Sequence, residues 1–407
     1  MLPRGALNAR DPRHLGLLDA GLHPAAEAMV TRYAGLDPQL AVWGAAPYPV
    51  ELEQHALFAL AKALGYTPPG LHAQFTSGGS ESNLLATALA LAAHEPGWCE
   101  RGLAGARPTV YASEEAHATL DRAAMLSGLG RRGLVRVRCD AGWRVNVTAL
   151  RRQIYEDIAR GRSPAMIVGT AGATSSGAID TLSKLAALCA SLRGEGHRVW
   201  FHVDAAWGAL AGLSPHTAGA LAGIAEADSI TWCAHKTLGA PVGTAMFFSR
   251  HRALVREVFR ADASYMPGVG SDDRVQPFRE GLQWSRRAIG LPVFAVLAAE
   301  GLDGLAARVD TLTARARFLA AQLAARGWSV VNDTPLPLVC VTHPRIRRGQ
   351  VAPGHVALTL RQQDVAWVSE TRLAGRLPVL RLCVLHPEIS ESTLLRVVDA
   401  MCAAVDP

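Results

Sequence analysis

Residues 229–239 read Ser-Ile-Thr-Trp-Cys-Ala-His-Lys-Thr-Leu-Gly, a short β-branched and apolar run that stops at a histidine and a lysine. The pattern predicts a buried strand, Ser229–Cys233, with His235 and Lys236 just past its carboxyl end. Of the 41 lysines and arginines in the 407-residue chain, only Lys62, Lys184 and Lys236 are lysine. Arginine serves solvation as well as lysine does, but its guanidinium stays protonated and is a poor nucleophile. A desolvated lysine can lose its proton and form a Schiff base. A lysine kept at a strand end amid a general shift to arginine therefore points to covalent chemistry with a carbonyl.

Outward from this stretch, short β-branched runs alternate with longer amphipathic ones. Strands are expected at Thr109–Ala112, Leu134–Arg138, Ala165–Thr170, Arg198–Val203 and Thr244–Phe247, and helices at Thr148–Arg160 and Thr181–Arg193. This α/β alternation builds a parallel or mixed sheet flanked by helices, and ligands bind such sheets at the carboxyl ends of the strands. Residues 1–70 read as an N-terminal segment of irregular chain and helix, 71–290 as a large domain, and 291–407 as a small α+β domain. The small domain has a long helix to about Arg326 and strands at Trp328–Val331, Leu338–Thr342 and Val379–Leu385. Residues 262–283, rich in Gly, Asp and Pro, read as a long mobile loop.

Hydrophobic residues make up 49% of the chain and charged ones 19%, as in globular rather than disordered proteins. The net charge of +6 has no concentrated footprint, because arginines form no run longer than pairs such as Arg131-Arg132 and Arg286-Arg287. That spread excludes a nucleic-acid partner. Seven cysteines without CxxC spacing give neither a disulfide framework nor a structural zinc site, and no metal is expected. The longest apolar stretch, Leu84–Ala93, is about half a bilayer span, and the N-terminus lacks the apolar core of a signal peptide. No membrane partner is expected, and a reducing cytoplasm is the expected location.

Four segments carry chemistry. Thr-Ser-Gly-Gly-Ser-Glu-Ser-Asn (76–83) opens a helix, where glycines, hydroxyls and free N–H groups make a phosphate cradle with Gly79 and Ser80 at its centre. No Gly-Lys-Ser/Thr follows, so it is not a P-loop. His117 follows a strand and is placed to stack on a flat ring. Asp204, in His-Val-Asp-Ala-Ala-Trp-Gly (202–208), ends a buried strand and needs a cationic partner. A protonated pyridine nitrogen meets that need and makes the ring an electron sink. With His235-Lys236 as the fourth segment, one molecule uses the whole set: pyridoxal 5'-phosphate.

The sequence resembles the group II pyridoxal-phosphate decarboxylases, the family of glutamate, aromatic amino acid and cysteine sulfinate decarboxylases. The resemblance runs from about residue 11 to the C-terminus. It rests on the segments above, on Pro-Tyr-Pro-Val-Glu-Leu-Glu (47–53), on Gly-Thr-Ala-Gly-Ala-Thr-Ser-Ser-Gly-Ala-Ile-Asp (169–180) and on Leu-Arg-Leu-Cys-Val-Leu-His-Pro (380–387). It implies fold type I, aspartate aminotransferase-like, with a mainly parallel seven-stranded sheet in the large domain. It further implies decarboxylation of an L-amino acid in a homodimer with active sites at the subunit interface. By position, Lys236 carries the cofactor, Asp204 pairs with the pyridine nitrogen, His117 stacks on the ring, and Gly79 and Ser80 hold phosphate. His235 lies near phosphate and substrate, Thr174 or its neighbour Ala173 supports the ring, and Arg381 binds a carboxylate of the substrate. Trp43, Tyr48 and Trp207 are candidates for the substrate side chain and lean towards an aromatic or apolar one.

Three departures bear on this reading. The N-terminal arm that interlocks dimers in the family is largely missing from this sequence, which implies a smaller interface. Cys233 stands where the family often has asparagine or aspartate at the phosphate. The loop tyrosine that reprotonates the product has no counterpart in Arg274–Trp284, which offers Phe278, and Tyr265 lies earlier. Relatives with phenylalanine there let oxygen intercept the carbanion, so oxidative deamination to an aldehyde stands as the alternative, with other pyridoxal-phosphate lyases and a non-catalytic paralogue behind it.

Overall fold

The computed structural model describes residues 8–103, 105, 107–261 and 274–406. The first strand, β1 (His14–Leu15), belongs to a second sheet. The first sheet has seven strands: β2 (His72–Thr76), β3 (Pro108–Ser113), β4 (Leu134–Val137), β5 (Ser163–Thr170), β6 (Trp200–Asp204), β7 (Ser229–Trp232) and β8 (Ala245–Ser249). Their order is β2-β8-β7-β6-β5-β3-β4, and every pair is parallel except the two that β8 makes. All of β3, β6 and β7 is buried, which is why these strands read as continuous rather than alternating apolar runs. The fold is α/β with a mainly parallel seven-stranded sheet.

The second sheet adds β9 (Ser329–Val330), β10 (Leu338–Thr342), β11 (Trp367–Leu373) and β12 (Leu377–Cys383), in the order β1-β11-β12-β10-β9. The helix Leu291–Ala325 joins the two sheets, with a break at Gly301, whose φ of 65° is open to glycine. Its Leu305 and Val309 pack into the core of the first sheet, and its Leu319 and Leu323 into that of the second. The N-terminal segment is divided between the two bodies: β1 pairs in parallel with β11, while α1 (Pro24–Ala34) lies against the Leu291–Ala325 helix.

Strands β1, β2 and β11 differ from the sequence expectation. Strand β2 carries His72 and Gln74, polar side chains that periodicity alone assigns to a surface, yet both are buried. Their partners come from far along the chain. Gln74 Nε2 donates to Glu280 O at 2.6 Å, and His72 Nδ1 lies 3.3 Å from Glu280 Oε2. Burial alone would raise the Glu280 pKa, but the hydrogen bonds and charges of His72 and Arg256 outweigh it and hold the carboxyl at about 2.

The expected mobile loop is corrected by the same contacts over residues 274–283. Phe278 N–H donates to Ala41 O at 3.0 Å, its side chain is 2% exposed, and Gln276 Oε1 accepts from Trp43 N–H at 3.2 Å. The rest of that loop, Tyr265 included, lies outside the described residues.

A second buried tie fastens the chain just beyond this segment to α2 (Pro47–Ala63): Glu53 Oε1 accepts the Gly290 N–H at 2.7 Å. Burial pushes the Glu53 carboxyl up to about 7, against the opposing pull of Arg286 and the Gly290 N–H. The folded pKa lies above the unfolded one, so the stability linked to Glu53 is complete below about pH 4.5 and is lost as the pH rises through about 7. Glu53→Gln keeps an acceptor for Gly290 but cannot ionise. Denaturant titrations across this window should show the wild type losing up to roughly 3 kcal/mol relative to the variant.

Candidate active site

The ends of β5, β6 and β7 and the first turn of α3 (Gly79–His94) converge on a polar cavity of about 330 Å³. The local chain explains the convergence. Gly78 adopts φ 139° and ψ 167°, a conformation closed to residues with a Cβ, and turns β2 sharply into the helix. At Gly79 a Cβ would stand 3.0 Å from Cys233 Sγ, so the helix start packs on the end of β7 with its backbone bare. The first N–H groups of a helix have no intrahelical partner and carry the positive end of its dipole, which suits an anion. Glu81 accepts from Ser77 N–H and Oγ–H (2.7 and 2.6 Å) and so braces the turn from outside.

Asp204 ends β6 and is 6% exposed. Its Oδ1 accepts from Ala206 N–H (3.1 Å) and its Oδ2 from Asn83 Nδ2–H (2.9 Å). Both donors are neutral, so a buried carboxylate keeps its demand for a cation. Lys236 lies on the same wall, in the short helical turn Ala234–Thr237 that follows β7. Burial lowers the pKa of His117, opposed by Asp204 and assisted by Lys236, and its Nδ1 accepts from Thr119 N–H at 3.2 Å. Burial also lowers His235, whose Nδ1 faces Thr244 O at 2.9 Å. The Cys233 thiol is pushed up to about 11 by burial and stays neutral beside the helix start.

The structure thus brings Gly79, Ser80, His117, Thr174, Asp204, His235 and Lys236 to one cavity. Thr174 faces it, while its neighbour Ala173 is buried in the core. Trp207 also lines it, but its indole N–H donates to Gly172 O at 2.7 Å, which holds the turn after β5. Three candidates stand elsewhere. Trp43 donates Nε1–H to Glu51 and lies under the Arg274 guanidinium, 3.9 Å from the ring centroid. Tyr48, turned outward at the start of α2, is 79% exposed. Arg381 sits on β12 with its terminal nitrogens donating to Thr174 O (2.6 Å) and Gly16 O (2.5 Å), so it touches the cavity wall from behind. Phe278 is buried against Ala41 and Val42 and is not among the residues that line this cavity.

Sequence reasoning missed Asn83, Thr119 and Thr170. The clearest signal is a folded-state one: Thr170 Oγ1 is buried at the cavity wall with no hydrogen-bond partner among the described residues. A buried hydroxyl left unpaired costs about 1–3 kcal/mol and is expected to serve a ligand. The residues present therefore fit pyridoxal phosphate: a helix start for phosphate, a carboxylate for the ring nitrogen, an orphan hydroxyl and a lysine. Among the described residues no group of three or more His, Cys, Asp or Glu could hold a metal ion. Thr170→Val should leave the apoprotein as stable or about 1 kcal/mol more stable, while cofactor affinity falls about five- to twentyfold in an absorbance titration.

A family profile described as the pyridoxal-dependent decarboxylase conserved domain matches residues 29–343. Mouse cysteine sulfinic acid decarboxylase is 30% identical over 378 residues, covering 90% of this chain and 73% of that protein. The aromatic-L-amino-acid decarboxylase of Bacillus atrophaeus is 30% identical over 373 residues, covering 87% and 73%. Among solved structures, mouse CSAD in its apo form superposes with a TM-score of 0.88 at 25% identity, covering 98% of this chain and 85% of that one. Oryza sativa TDC with PLP and tryptamine reaches 0.90 over 99% and 85%, but at 22% identity it speaks for the fold alone. With the cavity and these similarities in hand, the chain belongs to the pyridoxal-dependent decarboxylase family, carboxy-lyases that act on amino acids with pyridoxal phosphate.

Proposed function

We propose that this protein removes the α-carboxylate of an L-amino acid and releases carbon dioxide and the amine, working as a homodimer in the cytoplasm. The observation that carries the reading is the convergence of Asp204, Lys236, His117 and the α3 start on one cavity at the strand ends. When bound, pyridoxal phosphate supplies the electron sink that takes up the pair left as carbon dioxide departs. The protein's share is positioning and electrostatics. The first turn of α3 at Gly79 and Ser80 binds the phosphate, and Lys236 anchors the cofactor covalently. Asp204 holds the proton on the pyridine nitrogen, which keeps the ring electron-poor. With the cofactor bound, His117 would cover one face of the ring as a neutral imidazole, and the Thr170 hydroxyl would be the donor available to a polar edge. His235, with Nδ1–H spent on Thr244 O, keeps Nε2 as an acceptor.

Two features support a homodimer whose subunits meet at the site. A neighbouring groove of about 600 Å³, lined by Val30, Tyr33, Pro241 and Ile289 among others, shares Ser77, Val242 and Gly243 with the cofactor cavity. Val242 is 82% exposed, and Tyr48 is open at the start of α2. Apolar surface of this extent is suited to burial by another subunit. Seven free cysteines support a reducing compartment, and among the described residues no helix is long and apolar enough to cross a membrane.

The test is chemical. Borohydride should fix a yellow chromophore to Lys236, and peptide mapping should find it there. Lys236→Arg should remove that attachment and lower kcat about a thousandfold or more. Across an amino-acid panel, amine and carbon dioxide should form in equal amounts. Stoichiometric peroxide with aldehyde would refute the amine product, and a colourless protein would refute the whole reading.

A further inference from the structure

Asn83 lies in the second turn of α3, 1% exposed, where asparagine is a poor helix former and a buried amide is costly. All four of its hydrogen-bonding positions are filled. Nδ2 donates to Asp204 Oδ2 and to Thr119 Oγ1, each at 2.9 Å. Oδ1 accepts from Thr231 Oγ1 at 3.1 Å and faces His202 Nε2 at 3.1 Å. An amide oxygen only accepts, so His202 carries its proton on Nε2, and its Nδ1 takes the Ser229 hydroxyl proton at 2.9 Å. Ser229 Oγ is in turn fixed by Trp200 Nε1–H at 2.8 Å. The opposite amide orientation would set oxygen against the Asp204 carboxylate, and that repulsion decides it although the Ser229 carbonyl also lies 3.2 Å from His202 Nδ1. One orientation is therefore enforced.

That orientation has two outlets. The first fixes Asp204 Oδ2, leaving Ala206 N–H to hold Oδ1. The second occupies a lone pair of Thr119 Oγ1, whose own proton then goes to His117 Nδ1 at 3.0 Å. The Thr119 N–H by itself makes Nδ1 an acceptor, so the neutral imidazole carries its proton on Nε2, and the Thr119 hydroxyl adds a second donor to the same edge.

We propose that Asn83 is a positioning residue that sets, from a single amide, both the pose of Asp204 and the direction of the Thr119 hydroxyl beside His117. Thr231 and His202 lock it from behind. The inference rests on the reading of Asp204 as the partner of the pyridine nitrogen and deepens it. Second-sphere groups of this kind typically change activity by about 10- to 100-fold when removed.

The experiment uses the holoenzyme and reads the visible band of the protein-bound cofactor, its pH titration, and kcat against KM. Asn83→Asp keeps the shape but replaces the donor with an acceptor. It should raise the apparent pKa of the band by about one unit or more, because negative charge beside Asp204 retains protons. It should also lower kcat about 10- to 100-fold with KM within about threefold. Thr231→Val, which does not touch the cavity, should shift the band in the same direction by less. If Asn83→Asp does not fold, the Thr231→Val spectrum alone decides. Wild-type spectra, titrations and kcat in every variant that folds would overturn the inference while leaving the proposed function intact. A wild type with no cofactor band would overturn both.

Discussion

A carboxylate at the end of a buried strand is the constraint from which the rest of this structure follows. Asp204 is nearly sealed from water, and both hydrogen bonds it receives come from neutral groups. Placing an ionised group there without a cation costs several kcal/mol. In the function proposed above, the balancing charge arrives with the ligand. The polar groups behind Asp204 are also satisfied in sequence, from Trp200 through Ser229 and His202 to Asn83. Burial keeps His202 neutral, so the chain of donors ends on the carboxylate without adding a second charge beside it. A partly satisfied network at this depth would be worse than an apolar core.

Around that carboxylate, backbone geometry does what side chains cannot. The bare backbone of Gly78 and Gly79 brings the α3 start against the end of β7, and Asp180 accepts from Val145 N–H and Thr170 N–H to pin the end of β5. Burial pushes the Asp180 carboxyl up to about 6, so this pin also trades solvation for position. Strand order matters in the same way. With β6 between β5 and β7, Thr170, Asp204 and the Cys233–Lys236 turn come from three adjacent strand ends. A ligand spanning a few ångströms then meets residues separated by more than sixty positions in sequence.

What was legible in the sequence divides along a physical line. Lys236, Asp204 and Gly79 were legible because each breaks a local rule: a lysine among arginines, a charge after an apolar strand, glycines at a helix start. The six expected strands of the first sheet were legible for their unbroken β-branched runs. Strand β2 was not, since His72 and Gln74 look like surface until Glu280 is brought to them across two hundred positions. Asn83 sat inside a motif already read, where asparagine passes for an ordinary helix-start residue. Thr170 carries no sequence mark at all, because an orphan hydroxyl exists only once the fold has excluded its other partners. Trp43 and Tyr48 do not line the cavity within this chain, and position in the chain does not say which side of a turn an aromatic ring will take.

Arg381 ties the second sheet to the cavity wall. Its guanidinium grips two backbone carbonyls, Thr174 O beside the cavity and Gly16 O in the N-terminal segment, and it is 6% exposed. Ser369 on β11 bonds the same Gly16 carbonyl, and the register places Ser369 opposite Arg381. Bonds from a charged donor are roughly twice as strong as neutral ones, and a buried guanidinium that loses them is left with its desolvation cost. Any rotation of the second sheet against the first must break the Thr174 bond or carry Thr174 with it. The cavity wall and the C-terminal body are therefore one mechanical unit, held through the terminal nitrogens of Arg381.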